Sequence, residues 1–133
     1  MIRLAIDASV NVKDGRVGVG ILWLEGGKQH PLKFSLPQKM DNHLAEFSAL
    51  KIALELLEDQ GRTHDLIICQ TDSRAVYDAI RKKKSKNSPY SQAIQAILLA
   101  LAKFPQFHLN WVPEADNRGA DQLAKQAMRQ APL

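Results

Sequence analysis

Four carboxylate residues stand where a folded α/β protein could bring them together. Asp72 is the third residue after the apolar run at 66–69 and precedes a helical pattern, so it lies where a strand passes into a helix. Such strand ends form the carboxyl edge of a sheet, where α/β proteins place their binding sites. A simpler interpretation is that Asp72 or Ser73 only caps the following helix. Three further carboxylates in comparable settings favour a shared site instead: Asp7, Glu46 and Asp121.

Each of these three also has a purely structural explanation. Asp7 ends a strand whose apolar residues alternate over 2–6, so its side chain is predicted to lie on the opposite face. Glu46 flanks the apolar stripe of a helix predicted over 44–57, where it either extends to the surface or is held by a partner. Asp121 lies near the first turn of the last helix, where the helix dipole favours an anion.

Four carboxylates at one point would carry a specific chemistry. They repel one another and raise one another's pKa values unless cations hold them. Oxygen ligands of this kind suit Mg²⁺ or Mn²⁺. Two such ions about 4 Å apart clamp the attacking and leaving oxygens of a phosphodiester during in-line displacement. The pattern therefore predicts metal-dependent phosphodiester hydrolysis, provided that the fold joins the four residues.

The hydrophobic pattern predicts the element order β-β-β-α-β-α-α-β-α. The first three strands are joined by short turns, and Pro31 in the third strand predicts an edge position. A right-handed crossover would place the fourth strand parallel to the first and beside it. We therefore predict a five-stranded mixed sheet with helices on both faces, in a single domain over 1–133. In this arrangement the carboxyl ends of the first and fourth strands are neighbours.

The composition is that of a globular protein without a membrane span. Of the 133 residues 45% are hydrophobic and 24% are charged, and no apolar run approaches 18 residues. The N-terminus has no signal-peptide layout, so a cytoplasmic location is expected. Cys69 is the single cysteine and lies in an apolar run, which predicts core packing rather than a disulfide or a zinc site. The net charge of +4 suggests a polyanionic partner.

A basic run at 81–86 carries five positive charges in six residues at the predicted end of a helix. Cations stabilise a helix C-terminus, so one interpretation is a solvated helix end. The density of charge favours contacts with phosphates instead. Three residues of this run are the predicted contacts: Lys82, Lys83 and Lys84.

Together with the element order, several short segments resemble type I ribonuclease H in its short-loop form. These are Ala-Ile-Asp-Ala-Ser at 5–9, Asp-Asn-His-Leu-Ala-Glu at 41–46, Gln-Thr-Asp-Ser at 70–73, Trp-Val-Pro at 111–113 and Asn-Arg-Gly-Ala-Asp-Gln-Leu-Ala at 117–124. The similarity covers essentially the whole chain. It implies the ribonuclease H-like fold and an endoribonuclease that cuts the RNA strand of RNA–DNA hybrids, leaving a 3′-hydroxyl and a 5′-phosphate.

The resemblance also implies a role for each carboxylate. Asp7 would bridge two Mg²⁺ ions, and Mn²⁺ would be able to replace them. Asp121 would hold the ion that activates the attacking water, and Glu46 and Asp72 would hold the ion that stabilises the leaving 3′-oxygen. We expect the protein to be a monomer. Three positions align with residues of the family that touch the minor groove of the hybrid: Asn11, Asn42 and Arg74.

The chain departs from the family pattern in several places. Ala8 replaces a glycine, His43 replaces the second asparagine of an Asn-Asn pair, and the loop at 112–120 contains no histidine. Glu114 stands where short-loop members tend to have arginine, and Glu114 and Asp116 are rivals to Asp121 as the fourth ligand. The long basic insertion of some bacterial members is missing.

Other readings of the same carboxylates are weaker. A proofreading-type exonuclease requires Asp-x-Glu in the first strand, and the chain has Asp-Ala-Ser at 7–9. An integrase core has another carboxylate spacing and usually additional DNA-binding domains. The remaining alternative is a non-catalytic or weakly active nucleic-acid-binding module of the same fold. The four carboxylates argue against it, since without metals they would repel phosphates.

Overall fold

A computed structural model describes residues 1–83 and 88–133 of the chain, and its element order is the predicted one. The strands are β1 (Ile2–Val10), β2 (Val17–Glu25), β3 (Lys28–Leu36), β4 (Ile67–Thr71) and β5 (Phe107–Trp111). The helices are α1 (Asn42–Asp59), α2 (Arg74–Lys82), α3 (Ser91–Leu101) and α4 (Arg118–Gln130), with a short 3₁₀ turn over Glu114–Asp116 before α4.

The five strands form one mixed sheet in the order β3-β2-β1-β4-β5. β1 pairs with β2 in antiparallel and with β4 in parallel orientation, which confirms the neighbouring positions predicted for the first and fourth strands. Pro31 lies in β3 at the edge of the sheet, as predicted. The last residue of β4, Thr71, pairs with Ile6 of β1, so the next residues of the two strands, Asp72 and Asp7, follow a shared step of the sheet, and β1 continues beyond it to Val10.

Helices cover both faces of this sheet. The alternating residues Ile2, Leu4 and Ile6 of β1 lie in a core that is closed by the apolar faces of α1 and α3. Cys69 belongs to the same core and is fully buried, which confirms its predicted packing role. α4 covers the other face and packs on β1, β2 and β3.

The close approach of α4 depends on two glycines in β2. A Cβ atom at Gly18 or at Gly20 would lie 2.2 Å from backbone atoms of α4. Since no side chain fits at these two positions, the helix backbone rests directly on the strand. The approach fixes the N-terminal turn of α4 against the sheet near the end of β1.

The helix predicted over 44–57 is longer in the structure, where α1 spans Asn42–Asp59 with Asp41 as its N-terminal cap. At the end of α3 the chain turns more tightly, since Lys103 and Phe104 donate hydrogen bonds to carbonyls three residues earlier. Just beyond β5, the amide of Val112 donates to the carbonyl of Thr71. Across the ranges 1–83 and 88–133, none of the helices has the length and apolar character needed to cross a bilayer.

Candidate active site

Asp7 lies near the end of β1 and is only 4% exposed. Its carboxylate accepts a hydrogen bond from the backbone amide of Ala8 at 2.9 Å. Its partner across the antiparallel pair is Gly20, which faces α4, and paired residues share a face of the sheet. Asp7 therefore lies on the face opposite the apolar residues of β1, as the alternation predicts.

Asp72 follows β4 and is not needed as a helix cap. The cap of α2 is Ser73, whose hydroxyl accepts from the amide of Val76 at 3.2 Å. The amide of Ser73 in turn donates to the Thr71 hydroxyl at 3.0 Å, which closes the turn between strand and helix. The backbone carbonyl of Asp72 accepts from the indole nitrogen of Trp111 at 3.1 Å. These bonds hold the backbone, and Asp72 lines the cleft described below.

Glu46 lies in the second turn of α1 and completes a compact group. Asp7, Glu46 and Asp72 each offer one carboxylate oxygen, and these three oxygens lie within 4.8 Å of one another. Among the residues that the structure describes, the Glu46 Oε2 atom is buried and has no hydrogen-bond partner. A buried polar atom of this kind costs free energy unless a ligand satisfies it.

The fourth predicted carboxylate lies in the same cleft but is placed differently. A cleft of about 420 Å³ is lined by all four predicted carboxylates and also by Glu114. Asp121 makes an ion pair with Lys125, with 3.0 Å between Oδ2 and Nζ, and it is not a member of the compact group in the described part of the chain. Of its two rivals, Glu114 lines the cleft, whereas Asp116 instead provides a backbone carbonyl to Gln70.

Burial and mutual repulsion raise the pKa values of the compact group. Burial, followed by the charge of Asp72, raises the pKa of Asp7 to about 7. Burial, followed by the charge of Asp7, raises the pKa of Glu46 to about 9. The pKa of Asp72 is also raised, first by burial and then by the charge of Glu114. The ionised forms of these three carboxylates are therefore unfavourable near neutral pH when no cation is bound.

A divalent cation fits this donor set. Three carboxylates with converging oxygens suit a hard cation such as Mg²⁺ or Mn²⁺, which takes oxygen ligands. The buried oxygen of Glu46 that lacks a partner among the described residues gives such a cation a ligand that no protein group already occupies. A bound cation would also remove the repulsion that raises the three pKa values.

The residues predicted to contact nucleic acid fall into two groups. Asn42, the first residue of α1, and Arg74, the first residue of α2, both line the cleft. The guanidinium carbon of Arg74 lies 4.3 Å from the ring centroid of Trp111, which fixes the cation at the rim by cation–π contact.

The other predicted contacts lie away from the cleft. The side chain of Asn11 closes the turn after β1 by accepting from the amides of Lys13 and Asp14 at 2.9 and 3.2 Å. Lys82 ends α2 and Lys83 caps it in a left-handed conformation, and both side chains are exposed. Lys84 lies outside the described residues.

Three residues that the sequence did not assign to the site contact its backbone segments: Trp111, Asn117 and Gln70. Trp111, from the Trp-Val-Pro segment, contacts both the Asp72 backbone and Arg74. Asn117 and Gln70 each begin one of the other segments. The Asn117 side chain donates to the carbonyl of Ile6 at 2.9 Å and accepts from Gln70 at 3.0 Å. Each amide lies in the same segment as a predicted carboxylate, Asp72 or Asp121, and this position was the signal that the sequence offered.

Comparison with known proteins agrees with this architecture. Residues 5–127 match the sequence model of the reverse transcriptase-like family. The chain is 30% identical over 129 residues to EbsB of Enterococcus faecalis, which is named as a hydrolase, and the match covers 97% of this chain and 95% of EbsB.

Solved structures show the same fold. The structure is similar to that of ribonuclease H1 from the halophilic archaeon Halobacterium salinarum, with 26% identity, 98% of each chain covered and a TM-score of 0.85. It is also similar to LC11 ribonuclease H1, isolated from compost by a metagenomic approach and solved in complex with an RNA/DNA hybrid. That likeness has 20% identity, covers 98% of each chain and has a TM-score of 0.83, so it concerns the fold.

Proposed function

Because this chain belongs to the type I ribonuclease H family, we propose that it is an endoribonuclease that hydrolyses the RNA strand of RNA–DNA hybrids. The observation that carries the proposal is the compact group of Asp7, Glu46 and Asp72, with three carboxylate oxygens within 4.8 Å of one another at an open cleft. The similar LC11 protein, which binds a hybrid in its solved structure, supports the choice of substrate.

The cleft residues divide into cation holders and substrate binders. Asp7, Glu46 and Asp72 would hold one Mg²⁺ or Mn²⁺, and Asp121 across the cleft would share a second ion with Asp7. Bound in this way, the two ions would supply a hydroxide for attack on the phosphorus and stabilise the charge on the leaving 3′-oxygen. The burial of Asp7 keeps its carboxylate fixed, so that little reorganisation is needed when a cation enters.

Asn42 and Arg74 would position the substrate at the rim of the cleft. The Asn42 side chain carries both a donor and an acceptor at the start of α1, which suits the 2′-hydroxyl and base edges of a minor groove. Arg74, held on the ring of Trp111, would pair with a backbone phosphate. Only RNA offers the 2′-hydroxyl, so these contacts would select the strand that is cut.

The negative charge of the cleft opposes the binding of substrate phosphates. Glu114 adds a fifth carboxylate to the four predicted ones, and Arg74 is the cation that lines the cleft in the described part of the chain. Substrate phosphates would therefore approach only when divalent cations occupy the carboxylates. We propose that hybrid binding in the cleft, and not only cleavage, requires the cation.

A strand-resolved cleavage assay tests the proposed function. A hybrid is labelled on the RNA strand in one reaction and on the DNA strand in another, and each is incubated with the protein and Mg²⁺ or Mn²⁺. We expect RNA fragments with 3′-hydroxyl and 5′-phosphate ends, an intact DNA strand, and no cleavage of duplex DNA. Binding of the hybrid without cleavage in either cation would instead identify a non-catalytic nucleic-acid-binding module. We further propose that the active unit is a cytoplasmic monomer with a single domain.

A further inference from the structure

Asn117 is a buried amide that connects three elements of the site. It is only 1% exposed, although it precedes the first residue of α4 and would be expected to cap that helix. Within the described residues, its side chain makes no capping hydrogen bond to α4. It donates to the carbonyl of Ile6 in β1 at 2.9 Å and accepts from the amide of Gln70 in β4 at 3.0 Å.

Each of these bonds ends close to a carboxylate of the cleft. Ile6 directly precedes Asp7 in β1. Gln70 lies two residues before Asp72, and its amide also donates to the Asp116 carbonyl at 2.9 Å, in the turn before α4. The backbone carbonyl of Asn117 accepts from the amide of Asp121 at 3.1 Å. We propose that Asn117 is the positioning residue of the site, setting the spacing of the backbone segments that carry Asp7, Asp72 and Asp121.

The charges of the cleft explain why such a connection is needed. Before a cation binds, Asp7, Asp72 and Asp121 repel one another, and the repulsion tends to separate the three elements that carry them. The Asn117 amide opposes this separation with a donor and an acceptor aimed at two different strands. Its location in a buried setting strengthens both bonds, since water does not compete for them. The cation then meets carboxylates that are already close together.

An amide is the side chain that this position requires. Asn carries a donor and an acceptor in one plane, and both are used here. A carboxylate of the same shape would lose the donor to the Ile6 carbonyl and add another negative charge beside Asp72. An alanine would leave the Ile6 carbonyl and the Gln70 amide without this partner.

Two variants and one control separate positioning from simple structural support. Asn117→Ala removes both side-chain bonds, and Gln70→Met removes only those of Gln70 while keeping a side chain of similar shape. Ser35→Ala is the matched control, because its hydroxyl makes a sheet-to-α4 bond to the Ala127 carbonyl at 2.6 Å, at the other end of the helix. Each full-length protein is titrated with Mn²⁺ by calorimetry, and cleavage of a hybrid is measured over a range of Mn²⁺ concentrations.

We expect Asn117→Ala to weaken Mn²⁺ binding by roughly 10- to 100-fold, as for other residues that orient metal ligands, and Gln70→Met to have an intermediate effect. Ser35→Ala should bind Mn²⁺ like the wild type even if it unfolds at a lower temperature. High Mn²⁺ should largely restore kcat of Asn117→Ala. Because Mn²⁺ binding also stabilises any folded variant, the affinities are compared at a temperature at which thermal unfolding shows each cation-free protein to be fully folded. Mn²⁺ affinities of Asn117→Ala and Gln70→Met equal to that of Ser35→Ala would overturn the inference.

The consequence for catalysis rests on the proposed function, whereas the consequence for cation affinity does not. A wild type that binds Mn²⁺ but leaves hybrids intact would refute the function and still allow the affinity series to decide the role of Asn117. If Asn117→Ala does not fold, Gln70→Met alone decides it, because its effect on Mn²⁺ affinity is compared directly with that of Ser35→Ala.

Discussion

Gly20 lies directly opposite Asp7 in the pairing of β1 with β2, on the face of the sheet that α4 covers. A Cβ atom at Gly20 would lie 2.2 Å from the Ala120 carbonyl oxygen and 2.6 Å from the Ala124 nitrogen. The bare backbone of Gly20 therefore sets how closely α4 approaches β1. Since Asp121 directly follows Ala120, the same contact sets the spacing between the segments that carry Asp7 and Asp121.

Gly20→Ala should therefore damage both stability and the site. The added methyl group meets helix backbone rather than a movable side chain, so we expect a loss of about 3 kcal/mol in the free energy of unfolding, at the upper end for overpacking. We also expect weaker Mn²⁺ binding, because α4 must move away from the sheet. Urea unfolding and calorimetric titration measure the two effects.

Gly119→Ala is the matched control for this prediction. Outside its own helix, and among the described residues, a Cβ atom there would meet the Cδ2 atom of Leu22, at 3.0 Å, and that side chain can move. It should cost much less stability and leave Mn²⁺ affinity unchanged. Equal effects of Gly20→Ala and Gly119→Ala would show that the close approach at Gly20 has no special role.

The stability of the cation-free protein should fall as the pH rises. The pKa values of Asp7 and Glu46 are raised on folding, from ordinary values of 3.8 and 4.5 to about 7 and about 9. Folding is thus favoured by protons: the contribution is complete below the unfolded pKa values and is lost as the pH rises through the folded ones. In EDTA we expect the free energy of unfolding to fall by several kcal/mol between pH 5 and pH 8, since each group that keeps its proton only in the folded state contributes roughly 1 kcal/mol for each pH unit.

Asp7→Asn provides the control, since it removes one of the two raised groups and should flatten this dependence. Mg²⁺ should restore stability most strongly at the alkaline end, where the carboxylates are ionised and bind it best. Urea unfolding at several pH values, with EDTA or with Mg²⁺, measures both effects. A cation-free stability that rises between pH 5 and pH 8 would contradict the raised pKa values.

Much of this arrangement was predictable from local patterns. A short apolar run followed by Asp72 and a helix predicts a carboxylate at the edge of a sheet, and alternation in β1 separates Asp7 from the apolar face. These patterns are local, so the fold and the meeting of β1 with β4 could be inferred from them and from crossover rules. The structure confirms both.

The supporting contacts were not predictable because they join distant parts of the chain. Asn117 has the sequence context of a helix cap, and only the packing of α4 on the sheet brings its amide to the Ile6 carbonyl, 111 residues away. The sequence around Trp111 indicates only a strand residue. Its contact with Arg74 exists because the fold places α2 beside β5, with Arg74 over the ring of Trp111. Hydrogen bonds of this kind depend on tertiary distances that no local pattern encodes.

The basic end of α2 should contribute to affinity through phosphates. Lys82 and Lys83 are exposed there, and Lys84 follows in the sequence. Neutralising all three to Gln should weaken hybrid binding and reduce the slope of log K against log salt by roughly one for each lost contact. Lys28→Gln, at the hairpin between β2 and β3, is the control and should leave the slope unchanged. A triple variant with the wild-type slope would identify a solvated helix end.

Product release should limit turnover. The loop at 112–120 contains no histidine, whereas the resembled family often carries one that helps the product leave. Loss of a release aid spares the chemical step and slows the cycle. We therefore expect a burst of product in rapid-quench experiments with hybrid in excess, with single-turnover cleavage faster than steady-state turnover. Linear product formation from the first turnover, at the single-turnover rate, would show that release is not limiting.

The central claim is that the Asp7, Glu46 and Asp72 carboxylates hold the cation that drives RNA-strand cleavage. Asp72→Asn tests it most directly, since the substitution keeps the shape and removes one charged ligand, while Glu55→Gln on the exposed surface of α1 is the control. Both proteins are compared with wild type in single-turnover cleavage of a labelled hybrid with Mg²⁺, after their folding is checked by thermal unfolding. We predict a folded Asp72→Asn protein that yields no product above background and a Glu55→Gln protein that cleaves at the wild-type rate. A folded Asp72→Asn protein that cleaves near the wild-type rate would contradict the account.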